Sequence, residues 1–418
     1  MIAGLRGVAL DVRPLRVSRP YRNLLIGDAV SVIGTQVTIV AVPIEVYQLT
    51  GSAAAVGLVG LAGLLPLVVF GLYGGAIADA VDRRSLVLLT TVGQAVLSAV
   101  LLAQAAAHNS HIWVLYAVVA VQAALFAVES PARSAFPPRL LDAELLPAAN
   151  ALKQVEFNLG VTIGPLLAGV LVGQFGFASA YAVDAVSFTA ALLSVRGLPA
   201  MPPAGGGRRA GTASVLEGLR FLRSQPVLLM TFVVDIIAMV FAMPRALFPA
   251  IAEQVYGGGA QTAGSLYSAL AAGGLVGALF SGWFSRVHRQ GLAVLVAIVA
   301  WGVAITLFGL SDHLVVGLLC LAAAGASDMV SAVFRSAILQ TAAPDEMRGR
   351  LGGVFIVVVA GGPRLGDARA GGGSALVGLQ GAVVAGGLAV VALTIAAAAA
   401  VPRFTRYDTQ SPVPQPQE

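Results

Sequence analysis

Charge is what this chain has least of. Only 11% of its 418 residues are Asp, Glu, Lys or Arg and 58% are apolar, where an ordinary soluble domain carries roughly 25% charged residues. A water-soluble enzyme or scaffold is excluded on that ground alone. The single cysteine, Cys320, lies inside an apolar run, so neither a disulfide within the chain nor a cysteine-based metal site is available, and it is expected to be a small buried apolar residue. The single lysine, Lys153, is followed by Gln154, which removes the Gly-Lys-Ser/Thr phosphate loop and with it an ATP motor in this chain. His108, His111, His288 and His313 lack the spacing of a metal site, and neither His-Glu-x-x-His nor Gly-x-Ser-x-Gly occurs, so hydrolytic chemistry is not indicated. No cofactor is expected.

Long apolar runs take the place of charge. A bilayer core of about 30 Å needs about 20 apolar residues per helix, and twelve stretches satisfy this: 24–47, 55–78, 86–107, 112–128, 157–173, 178–195, 227–251, 264–284, 292–310, 314–338, 351–373 and 377–401. The fold class is therefore an all-α membrane protein with twelve transmembrane helices. Basic residues gather in every second connection, at Arg83 and Arg84, from Arg133 to Lys153, from Arg196 to Arg223, at Arg286 and Arg289, and at Arg348 and Arg350. The connections 48–53, 108–111, 174–179, 253–261 and 311–313 contain no Lys or Arg. Cytoplasmic loops retain basic residues and translocated loops do not, which places both termini in the cytoplasm. The net charge of +5 is accounted for by these membrane boundaries, so no nucleic-acid partner is expected. Arg245, Arg364 and Arg369 stand apart from the basic loops.

The chain repeats itself. Ala132-Arg133-Ser134-Ala135 at the end of span four returns as Phe334-Arg335-Ser336-Ala337 at the end of span ten. An acidic step follows both, at Asp142-Ala143-Glu144 and at Asp345-Glu346. A weaker echo matches Gly74-Gly75 and Asp79 after span two with Ser281-Gly282 and Arg286 after span eight. Such parallel halves of six spans divide the chain into a basic tail (1–23), a first half (24–198), a linker (199–226) rich in Pro, Gly and Arg, a second half (227–402) and a disordered tail (403–418). Within the linker, 215–222 has an amphipathic pattern suited either to the membrane surface or to a solvated helix.

The segment Gly74-Gly75-Ala76-Ile77-Ala78-Asp79-Ala80-Val81-Asp82-Arg83-Arg84 resembles the loop signature of the major facilitator superfamily. Ala41-Val42-Pro43, Pro131-Ala132-Arg133, the run 146–151, the run 245–250 and Pro344-Asp345-Glu346-Met347-Arg348-Gly349-Arg350 are similar to its drug and siderophore efflux branch, a likeness that covers nearly the whole chain. The resemblance implies the major facilitator fold in two six-helix halves, placement in the bacterial cytoplasmic membrane, and outward transport of a small molecule, most plausibly a siderophore. A multidrug or macrolide antiporter is the alternative, and a sensor that kept the fold without transport is a third reading. The implied partners are the substrate, protons and the lipid bilayer, for a protein working as a monomer. In the family this loop steadies one access state, so Gly75, Asp79, Arg83 and Arg84 are implied gating residues.

A charge inside the bilayer costs on the order of 3 kcal/mol on insertion scales, so each should face a cavity or a partner. Asp28 and Asp235 occupy corresponding first spans and Asp328 lies in the body of span ten, which makes these three the proton-coupling candidates. Glu129 and Arg133 share one face of span four, as Asp328 and Arg335 share one of span ten. Arg133 and Arg335 are expected either to pair with acids of the loop motif, completing the gate with Glu129, or simply to mark the inner interface. Asp184 is expected to be structural. Arg245 and Arg364, with Asp367, are substrate-binding candidates, because a Gly- and Pro-rich break at 361–366 would open span eleven to a cavity, and guanidinium groups suit an oxygen-rich anion. Arg369 suits either that cavity or an outer anchor.

Overall fold

Low polarity over runs this long leaves helix as the one way to satisfy every backbone group without water, and helices are what the chain forms. The computed structural model describes residues 11–108, 111–202, 217, 220–279, 287–342 and 344–408. Arg6, most of the linker including 203–216, the echo at Gly282 and Arg286, and the tail beyond 408 lie outside the described residues.

Among the described residues twelve long helices follow one another. We label them α1 (Arg19–Thr50), α2 (Ala53–Ala80), α3 (Arg83–Ala106), α4 (Ile112–Ser134), α5 (Leu146–Phe175), α6 (Phe177–Arg196), α7 (Pro226–Ala242), α8 (Ala260–Leu279), α9 (Gln290–Gly309), α10 (Leu314–Ala342), α11 (Asp345–Val377) and α12 (Leu379–Ala400). Eleven spans among the described residues are long and apolar enough to cross a membrane, and α11 is the one of the twelve that is not among them. It is fully helical over 33 residues but carries Arg364, Asp367 and Arg369 within its length.

Two compact units result, Met1–Val42 with Val69–Ala210 and Pro43–Val68 with Gly211–Glu418. The hairpin Pro43–Val68 thus packs within the second unit although it precedes the linker in sequence. Pro43 and Pro66 lie inside α1 and α2, where each removes one backbone hydrogen bond at or just before the point at which the helix passes from one unit to the other. In the first unit α3 packs against α4 and α6. In the second, α8 and α9 pack against α10, and α11 and α12 against α7.

Lipid gives helices no hydrophobic reason to associate, so close van der Waals contact between small residues must hold them. The pair α8 and α10 is a tight instance. A Cβ on Gly273 would sit 1.9 Å from the Ala322 carbonyl oxygen, and one on Gly325 would sit 1.9 Å from that of Leu270.

The two halves also repeat a conformation that the sequence comparison did not find. Gly51 and Gly257, after spans one and seven, have φ of 61° and 62°; Gly176 and Gly378, between spans five and six and between eleven and twelve, have φ of 78° and 77°. Positive φ is open to glycine at little cost, so equivalent turns keep the same residue.

Two expectations about broken helices are corrected. Span eleven has no break at 361–366, because α11 runs unbroken through Pro363. Its glycines serve close approach instead: a Cβ on Gly366 would meet the Met239 carbonyl oxygen at 2.1 Å. The break lies in span seven. There α7 stops at Ala242, Met243 is extended, a 3-10 turn covers Arg245–Leu247, and helix resumes over Phe248–Gln254. A side chain before proline disfavours the helical region, which acts on Met243 before Pro244, while Gly362 before Pro363 has no Cβ to clash. That is part of the physical reason for the difference.

Candidate functional site

Each unit holds an arginine between carboxylates, Arg335 buried and Arg133 partly so. In the first, Arg133 on α4 pairs through Nη1 with Asp28 of α1 and through Nε with Glu129 one turn earlier on its own helix. Its Nη2 donates to the Thr91 hydroxyl at 3.3 Å. The other Glu129 oxygen accepts from Gln94 Nε2 at 2.9 Å, and Lys153 Nζ stands 3.9 Å from Asp28 Oδ2. Asp28, Glu129 and Glu156 are all buried. Glu156 interacts electrostatically with Asp28, Lys153 and Arg133, so the cluster holds three carboxylates against two cations.

In the second unit Arg335 on α10 pairs through Nη1 with Asp235 of α7 and lies 3.8 Å from Asp328, two turns earlier on its own helix. Asp235 and Arg335 are buried, while the Asp328 side chain keeps 40% of its surface accessible. The Arg-Ser-Ala repeat therefore marks a repeated interaction: an arginine on the fourth span of each half holds a carboxylate of that half's first span and stands beside one on its own helix. Burial makes both arrangements stringent, because an ion taken out of water must be matched in charge and hydrogen bonding.

The loop motif does not supply these partners, as had been expected. Asp79 binds Arg83 at 2.9 Å, one turn away. Asp82 caps α3, accepting from the Ser85 N–H at 2.8 Å and the Met201 N–H at 2.7 Å. Burial raises its pKa, but these hydrogen bonds and the nearby Arg84 outweigh that and hold the carboxyl below the usual carboxylate range. Arg84 closes the end of α6, donating to the carbonyls of Val195 at 3.3 Å and Arg196 at 2.6 Å. The Arg83 N–H adds a bond to the Met201 carbonyl at 3.1 Å. Gly75 is half-buried on α2. Its neighbour Gly74 would bring a Cβ within 2.5 Å of the Ala127 carbonyl oxygen, so small residues set the approach of α2 to α4.

A second polar group surrounds the break after α7. Asp367 on α11 accepts from the Ala246 N–H at 3.1 Å and lies 3.8 Å from Arg245 Nη2. The Tyr267 hydroxyl donates to the Arg245 carbonyl at 2.9 Å, and its ring meets Phe248 edge-on. Arg364, one turn before Asp367, donates to the Ala360 carbonyl at 2.6 Å and interacts electrostatically with both Arg245 and Asp367. Two guanidinium groups thus share one carboxylate, an arrangement with an excess of positive charge. The hairpin in this unit comes down on the same stretch: a Cβ on Gly57 would lie 2.8 Å from the Asp367 carbonyl oxygen, and one on Gly60 would lie 2.9 Å from that of Arg364. Arg369 does not join the group. It donates to the Ala382 carbonyl at 3.3 Å and packs on Gly386, joining α11 to α12.

Sequence reasoning passed over Glu45, 2% exposed within α1, although a carboxylate inside an apolar run was signal enough, and Glu156, which falls just before the fifth apolar run. Tyr267, which holds the Arg245 turn, had no signal in the sequence. Among the described residues no group of three or more His, Cys, Asp or Glu side chains could hold a metal ion.

A family model described as transmembrane secretion effector matches residues 11–417. An enterobactin exporter, EntS, of Citrobacter koseri is 31% identical over 391 residues, covering 92% of this chain and 93% of that one. The enterobactin exporter EntS of Escherichia coli O1:K1 / APEC is 30% identical over 366 residues, 87% of each chain. Among solved structures the nucleoside transporter NupG superposes with a TM-score of 0.73 at 13% identity, covering 93% of this chain and all of that one. A bacterial homologue of the human lysosomal transporter Spinster does so with a TM-score of 0.71 at 15% identity, covering 97% and 100%. At those identities the structural likeness speaks for the fold, the major facilitator fold.

Proposed function

Since the chain belongs to the transmembrane secretion effector family of the major facilitator superfamily, we propose that it is a secondary transporter exporting a siderophore across the bacterial cytoplasmic membrane by proton-coupled alternating access. The single observation that carries the coupling is the matched pair of buried ion clusters, one in each unit. A carboxylate that exchanges an arginine for a proton as its surroundings change is a natural coupling device. Asp28 and Asp235 fill that role, and the more accessible Asp328 is the entry point for protons in the second unit. Arg133, Glu129 and Arg335 are the gate elements that respond, steadied by Gly75, Asp79, Arg83 and Arg84 of the loop. Both termini are cytoplasmic and the monomer is the working unit.

The siderophore assignment is supported by the enterobactin exporters among the relatives and by the excess positive charge at Arg245 and Arg364. A catecholate presents paired oxygens that a guanidinium fork matches, on a ring that it can stack against. Asp367 sets the position of Arg245 and leaves the binding to the arginines.

Reconstituted protein with an imposed pH gradient tests this reading. A catecholate siderophore should move against its gradient, with loss of transport in Asp28→Asn combined with Asp235→Asn and loss of affinity in Arg364→Ala. Normal pH-driven transport in the Asp variants would remove the coupling sites. Normal catecholate export by Arg364→Ala would remove the anion site, and proton flux only with apolar cationic drugs would favour a multidrug antiporter.

A further inference from the structure

Among the described residues the buried carboxylate of Asp184 meets no cation. Asp184 on α6 is 0% exposed and faces hydroxyls alone. Thr38 of α1 donates to its Oδ2 at 2.7 Å and Ser98 of α3 to the same oxygen at 2.6 Å. Thr35, one turn before Thr38, adds a third hydroxyl. The other oxygen, Oδ1, is buried without a hydrogen-bond partner.

This asymmetry carries chemical information. An ionised carboxylate spreads its charge over two equivalent oxygens, and both attract donors. A carboxylic acid has one carbonyl oxygen that accepts and one hydroxyl oxygen that accepts poorly. The Thr38 and Ser98 bonds both fall on Oδ2, which leaves Oδ1 as the oxygen open to a proton. The surroundings favour the same state. Asp28, Glu129 and Asp235 each meet an arginine, whereas among the described residues the groups acting on Asp184 are hydroxyls. The charged groups on the helices packed around it lie far along their axes: Asp28 on α1 is seven residues from Thr35, about 10 Å at 1.5 Å per residue. Arg83 and Arg84 on α3 and Arg196 on α6 are engaged at the helix ends or lie a dozen residues or more away, roughly 18 Å or beyond on the same rise, and on α5 Glu156 and Lys153 lie eight and eleven residues, about 12 Å and about 16 Å on that rise, from Gly164, which packs on Gln36 of α1. Hydroxyl donors soften the cost of a buried charge but do not cancel it, and a carboxylate with no cation beside it is relieved of that cost by taking up a proton.

We propose that Asp184 is a proton-binding site, occupied by a proton in this conformation and distinct from the arginine-held carboxylates. A proton needs no cavity and suits a site with no accessible surface. Two helices deliver the donors, and α1 carries both Thr38 and the Asp28 that binds Arg133. Displacement of α1 therefore acts on the proton site and on the ion pair through one rigid element. The inference does not depend on which molecule is exported.

Infrared spectroscopy of the full protein in lipid at neutral pH tests it directly. The wild type should give the carbonyl stretch of a buried neutral carboxylic acid, sensitive to exchange into deuterium oxide, and Asp184→Asn should lose it while Asp328→Asn retains it. Should Asp184→Asn not fold, Thr38→Val with Ser98→Ala gives the second measurement, since loss of both donors to Oδ2 should move the same band to higher frequency. A band unchanged in all three variants would overturn the proposal. So would a thermal midpoint that rises with sodium but not choline in the wild type and is insensitive in Asp184→Asn, which would assign the site to a sodium ion.

Discussion

Asp28 and Arg133, 105 residues apart in the chain, form an ion pair around a buried carboxylate that joins the first span of one half to the fourth. Its counterpart in the other half, Asp235 with Arg335, means that the same contact was kept in both copies of a duplicated unit. A pair needed merely for packing could have been replaced in one copy by an apolar contact of similar volume without loss of stability.

Removal of Arg133 should hurt more than removal of the whole pair. Arg133→Ala leaves Asp28 and Glu129 buried and unmatched, at a cost of about 3–5 kcal/mol, whereas Arg133→Ala with Asp28→Asn should recover part of that loss. Thermal unfolding in detergent measures the coupling. Arg133→Lys should not rescue, because one ammonium cannot fork to both acids.

At Gly273 and Gly372 the same substitution should have opposite signs. Alanine in place of a helical glycine gains about 1 kcal/mol from helix propensity, and Gly372, with nothing within 4 Å of its missing Cβ, should show a gain of that kind. Gly273→Ala would place a carbon against the Ala322 carbonyl and should lower both the thermal midpoint and the yield of folded protein.

Acid should weaken the Asp82 cap. Its folded-state pKa lies below the usual value, so its contribution is present at neutral pH and is lost as pH falls through the carboxylate range. Asp82→Ala should cost about 1 kcal/mol, the usual value of a helix cap, at pH 7. The difference between wild type and variant should shrink in a series of melts taken toward pH 3.

The charge balance around Arg364 gives a transport prediction. Asp367→Asn keeps an oxygen for the Ala246 N–H but removes the anion between Arg245 and Arg364, so KM for an anionic substrate should fall. Arg364→Ala should raise it about tenfold, or ~1.4 kcal/mol. Export assays across a substrate series separate these changes from loss of protein.

Much of this was legible in the chain. Apolar length gave the helices, and the Arg-Ser-Ala repeat pointed to Arg133 and Arg335 before any contact was known. The partners were not legible, because Asp28 and Asp79 are equally acidic in sequence and only packing decides that Asp28 meets Arg133 while Asp79 turns to Arg83. The broken span was misplaced for a related reason. Pro244 and Pro363 both lack an N–H, but the backbone of Met239 lies against Gly366 along an unbroken α11, while the Ala246 N–H freed by the interruption of α7 finds the Asp367 carboxylate.

Lys153, whose amine stands 3.9 Å from Asp28, is the single lysine in the sequence, and nearly half of its side chain is accessible. An amine-reactive dye would thus label one side chain beside the first-unit ion cluster, with no need for engineered cysteines. Its emission would follow the electric field there as Arg133 and Asp28 separate or rejoin, turning a weak electrostatic neighbour into an optical readout of turnover.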